Sequence, residues 1–112
     1  MFKPTEHQAK IWFHKLNKSI FDGKITPMPK IEIRRRHKIW GEASWDDEDV
    51  SISTLISLTT RFRSKQHFLS ILAHEMVHIY QAMVGDTGDH NALFYSFRKK
   101  FEEQNLLLKR VY

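Results

Sequence analysis

The chain has 112 residues, which fits one domain. It contains no cysteine, so disulfides and thiolate metal sites are excluded, and no apolar run approaches the roughly 20 residues that a membrane span needs. Its net charge of +5 favours acidic partners such as nucleic acid without naming one.

The N-terminus, Met1 to Glu6, lacks the apolar stretch of a signal peptide, and the expected compartment is the cytoplasm. Thr5-Glu6-His7-Gln8 has the form of a capping box. Ala9, Trp12, Phe13, Leu16 and Ile20 then recur at helical spacing, and Gly23 is a stop signal. Pro27 and Pro29 lead into extended chain. Ile31 to Arg34 alternates apolar and polar and predicts a strand; Gly41 to Trp45 predicts a second. The run Asp46 to Asp49 is too charged for a sheet interior and reads as a turn. Val50 to Ser53 alternates again and predicts a third strand, giving a small, largely antiparallel sheet.

Ser64 is the expected N-cap of a long helix, with Phe68, Ile71, Leu72, Met76, Ile79 and Met83 on one face. Gly85 to Gly88 ends it. A last helix is expected from Asp89 or His90, with Leu93, Phe94, Phe97 and Phe101 as its buried stripe, and Leu106 to Leu108 pack back as a tail. Helix, three strands, then two helices is an α+β order.

The long helix carries His74-Glu75-Met76-Val77-His78, which matches H-E-x-x-H. Residues four apart lie one turn apart on the same face, so two imidazoles can grip one zinc ion from a single rigid element. Glu75, beside the first ligand, can reach a water at the metal's open position and accept its proton as the ion acidifies it. Chance occurrence is the competing reading. It is weakened because the helix is apolar on its other face, and polar groups in such a setting need partners.

A catalytic zinc takes three protein ligands and a water. Gln81 and Val84 stand where a metzincin has glycine and histidine, which rules out that class. Glu102 or Glu103 would supply the third ligand from a later helix, and Asp86 or Asp89 from the loop. His90, twelve residues after His78, is favoured, since neutral imidazole is the commonest metal ligand.

These residues resemble the SprT-like family, which includes the Spartan DNA–protein crosslink proteases. The resemblance runs from about Leu16 to Phe101. Leu16 to Ile25 looks like the family's segment between first helix and first strand, and Ile31 to Ile33 and Trp40 to Trp45 like its next strands. His74 to Gln81 is similar to its zinc helix, and Asp89-His90-Asn91-Ala92-Leu93-Phe94 to its His-Gly-x-x-Phe element, with Asn91 in place of the glycine. The resemblance implies His90 as third zinc ligand. It also implies a minimal zincin-like domain and DNA-stimulated proteolysis of DNA-bound proteins. Without cysteine there is no zinc ribbon of the kind many relatives carry, so a bare catalytic domain is expected.

Arg34-Arg35-Arg36-His37-Lys38 is the densest positive run. Strand alternation would put Arg34, Arg36 and Lys38 on one face, with Trp40 and Trp45 nearby, the combination that holds single-stranded DNA. A solvated strand face with both tryptophans in the core is the plainer alternative. Two functions therefore compete. One is a zinc peptidase acting on protein substrates, with Glu75 as general base. The other is a zinc-stabilised module that binds nucleic acid or protein without catalysis. Tyr80 and Tyr95 are the tyrosines considered for oxyanion stabilisation.

Overall fold

Helix α1 (Glu6–Phe21) begins as the capping box predicts. Thr5 Oγ1 accepts the Gln8 N–H at 3.1 Å, and Gln8 Oε1 accepts the Thr5 N–H at 3.0 Å. The helix buries Ala9, Phe13, Leu16, Ile20 and Phe21. It ends where Asp22 and Gly23 turn left-handed (φ 53° and 73°). The Asn17 amide then clasps the backbone of Ile25 at 3.1 Å on both sides, which aims the chain toward the sheet.

A computed structural model describes all 112 residues. Strands β1 (Lys30–Ile33), β2 (Gly41–Ser44) and β3 (Leu55–Leu58) form one sheet in the order β1-β3-β2. β3 is central, parallel to β1 and antiparallel to β2, so the sheet is mixed rather than largely antiparallel. The third strand is also misplaced by sequence pattern. Val50–Ser53 forms a one-turn helix, α2, and the strand follows it. The reason is burial: Ile52 is 80% exposed, whereas Ile56, Ser57 and Leu58 are buried. A central strand covered on both faces has no need to alternate.

The positive run does not extend β1, which ends at Ile33, and Lys38 adopts φ 66°. Arg34, Arg36 and Lys38 therefore do not share a strand face. Register sets Glu32, Ser57 and Glu42 side by side on one face of the sheet. Arg36 folds over them, donating to Ser57 Oγ at 3.1 Å and Glu42 Oε1 at 3.2 Å.

Helix α3 (Lys65–Met83) is capped by Ser64, whose Oγ accepts the His67 N–H at 3.0 Å. It packs against β2, β3 and α1 and is buried on most of its circumference, not along one stripe. The last helix starts later than predicted and is broken. Asn91 caps α4 (Ala92–Tyr95), accepting the Phe94 N–H at 3.0 Å, and α5 (Arg98–Glu103) follows. Leu106 and Leu108 return to the core, fixed by the Leu107 N–H to Ser70 Oγ at 3.2 Å. Phe13, Phe21, Phe62, Phe68, Phe94 and Phe101 are fully buried in one continuous cluster. No helix is long and apolar enough to cross a membrane.

Candidate metal centre

α3 presents His74 and His78 from successive turns, and the loop after it brings His90 over the same spot. The Nε2 atoms of His74 and His78 are 3.2 Å apart, and His90 Nε2 is 3.5 Å from His74 Nε2. One ring nitrogen from each of the three lies within 4.8 Å of the others. A tetrahedral ion with bonds of about 2.0–2.1 Å would space its nitrogens by roughly 3.3–3.4 Å, so this donor set fits a metal ion. His74 Nδ1, the ring nitrogen turned away from the cluster, is buried without a hydrogen-bond partner.

Phe94 forms the floor of the cluster. Its ring centroid lies 5.0 Å from that of His74, 5.2 Å from His78 and 4.7 Å from His90. Tyr112 packs edge-on against His74 at 5.3 Å. Burial holds His74 and His78 below the usual histidine range, to about 3 for His74, where the neighbouring His78 and His90 lower it further. His90 is lowered by burial and by the Arg110 charge. All three rings are thus neutral at pH 7, the form that binds metal.

Glu75 is 8% exposed and reaches across to β2. Burial, then the Glu42 charge, raises its carboxyl to about 8, against a lowering hydrogen bond from the Ala43 backbone. A cavity of about 350 Å³ opens in front, lined by Gly41, Glu42, Trp45, Gly88 and Arg110 together with the cluster. Trp45 is therefore a wall of this cavity, its ring in contact with Gly88 and its Nε1–H donating to Asp47. It does not join Trp40 in a common patch.

Glu102 and Glu103 are exposed on α5, away from the cluster. Asp89 lines the same cavity, but only the three histidines bring donor atoms together. Asp86 binds the Gly88 N–H at 3.0 Å and the amides of Gln81 and Asn91, contacts that hold it below the usual carboxylate range. Tyr80 packs on Phe21 and Phe97, and Tyr95 on Phe94. Sequence reading gives no role to Gln81, Arg110 or Tyr112. Gln81 alone carried a signal, its spacing of three from His78.

The SprT-like family's sequence profile matches residues 9–111. The chain belongs to the SprT-like family. A search of the curated proteins finds no match. Family membership and the histidine cluster together indicate a metalloprotease-type domain.

The widest depression on this SprT-like domain lies elsewhere. It measures about 490 Å³ and is lined by Arg35, Arg36, Trp40, Arg61, Phe62 and Arg63. Trp40 is half-buried against Phe62 and His67, with the Arg63 guanidinium 5.4 Å over its ring. Arg34 is paired loosely with Glu32 at 3.9 Å and Arg36 with Glu42, whereas Arg35, Arg61 and Arg63 have no carboxylate partner.

Proposed function

We propose that the protein is a zinc-dependent endopeptidase whose ion is held by His74, His78 and His90. The observation that carries this reading is the convergence of three imidazole nitrogens beside a buried carboxylate in an open cavity. Three nitrogen donors with room for a fourth ligand suit zinc. Bound there, zinc would supply acidification of a water and polarisation of the scissile carbonyl.

The remaining work falls to the chain. The charge of a bound ion would bring the Glu75 carboxyl down from its metal-free value of about 8, and the resulting carboxylate takes a proton from the attacking water and hands it to the departing amine. The Glu75 carboxyl lies beside the Ala43 backbone of β2, and both residues line the cavity. β2 is an edge strand, and Gly41 and Ala43 line the cavity, so an extended peptide can pair along it. Arg110 places a positive charge at the mouth.

DNA-bound proteins are the substrates best supported, by the net charge of +5 and by the arginine-lined depression. Guanidinium groups on phosphates, with Trp40 at the edge, are the elements of a single-strand groove. Arg35, Arg61 and Arg63 join Arg36, Lys38 and Trp40 as the residues expected to carry it.

Glu75→Gln tests the peptidase reading. Zinc content should hold while cleavage of a DNA-bound protein falls by about 10²–10⁴-fold. Unchanged cleavage at full zinc content would sink the reading; the alternative, a zinc-stabilised binding module, gains if neither protein cleaves anything.

A further inference from the structure

Gln81 is fully buried one turn beyond His78, and every polar atom of its side chain is engaged. Its Nε2 lies 3.0 Å from Asp86 Oδ2, 2.8 Å from the Asp89 carbonyl oxygen and 3.2 Å from Asn91 Oδ1. All three are acceptors. The Asn91 orientation is itself fixed, since its Oδ1 accepts the Phe94 N–H and its Nδ2 donates to Asp86 at 3.0 Å. That end of Gln81 must therefore be the NH₂ group, and its Oε1 is the atom facing His78 Nδ1 at 2.8 Å. An amide oxygen only accepts, so His78 must carry its proton on Nδ1. The lone pair is left on Nε2, the atom turned toward His74 and His90.

We infer that Gln81 is a positioning residue for the metal centre, locking the His78 tautomer and docking the His90 loop onto α3 through a single amide. The inference rests on the three-histidine metal site proposed above, though not on proteolysis. Imidazole in water favours the Nε2–H form, in which the converging nitrogen would have no lone pair to offer. The NH₂ end acts on the third ligand, because Asp86, Asp89 and Asn91 bracket His90 on both sides. Asn91 carries the constraint onward as the cap of α4, whose Phe94 touches all three histidine rings. One side chain thus couples two ligands that lie on different elements. Outer partners of this kind fix ligand orientation, and their loss typically weakens metal binding about 10–100-fold.

The test uses zinc affinity by chelator competition, together with ¹⁵N NMR of the histidine rings in metal-free protein. Wild type should show His78 as the Nδ1–H tautomer. Gln81→Met should shift His78 toward Nε2–H and weaken zinc about 10–100-fold. Gln81→Glu keeps an acceptor for His78 but has no donors for the loop. It should keep the Nδ1–H tautomer yet still bind zinc more weakly, and it serves alone if Gln81→Met does not fold. Wild type that binds zinc but shows His78 as Nε2–H in the metal-free form overturns the inference, as do variants with wild-type affinity. Wild type that takes up no zinc overturns the metal site itself, a distinguishable result.

Discussion

At the level of single residues, the three histidines reach the cluster by different routes, two from α3 and one from the loop after it. His74 and His78 announce themselves by spacing, because a helix turns two residues four apart to one side. His90 does not, since loop geometry decides whether it returns to the helix. Alanine changes separate it from its rivals. His90→Ala should empty the site, whereas Asp89→Ala and Glu102→Ala should leave one zinc per chain, as measured by metal analysis of the purified proteins. Glu75 makes a second prediction. Its carboxyl is raised from the model-compound value of 4.5 to about 8. Stability from the neutral form is present below pH 4.5 and is lost as pH rises through 8. In metal-free protein, Glu75→Gln should therefore exceed wild type in stability, the gap widening between pH 5 and pH 8 to ~2–4 kcal/mol. Denaturant unfolding at the two pH values checks this, and a constant gap would contradict it. Gln81 is half legible at this scale: its spacing from His78 can be read, but its other partners lie five to ten residues further on.

At the level of elements, local signals were legible wherever one or two residues decide the outcome. Thr5 with Gln8 and Ser64 start their helices as their chemistry requires. Thr5→Ala should cost about 1 kcal/mol, measurable by thermal unfolding. The third strand was illegible for a tertiary reason. Leu-Ile-Ser-Leu at 55–58 shows no alternation because neighbours cover it on both sides, while the better pattern at Val50–Ser53 lies on the surface. The basic run misled for a similar reason: Arg36 satisfies the sheet's polar face instead of facing solvent. The loop bearing His90 turns on Gly88, which has φ 81° and whose added Cβ would meet the Trp45 ring at 3.1 Å. Gly88→Ala combines left-handed strain with that contact. It should weaken zinc binding more than it lowers the melting temperature, because the strain falls on the loop rather than the core.

At the level of the whole molecule, the α+β class was readable from element order, but the mixed β1-β3-β2 sheet was not, since pairing partners are set by packing on α3. The domain separates two surfaces. One is the cavity between β2, α3 and the His90 loop; the other is the arginine-lined depression. Charge reversal at Arg61 and Arg63 should weaken single-stranded DNA binding and flatten its salt dependence, each lost phosphate contact lowering the slope by about 0.7. Peptide cleavage without DNA should be unaffected. X-ray absorption at the zinc edge of protein purified without added metal tests the centre most directly. One zinc per chain with three imidazole nitrogens at about 2.0–2.1 Å and one oxygen neighbour is the expected result. No stoichiometric metal, or an ion bound by fewer than three imidazoles, would contradict it.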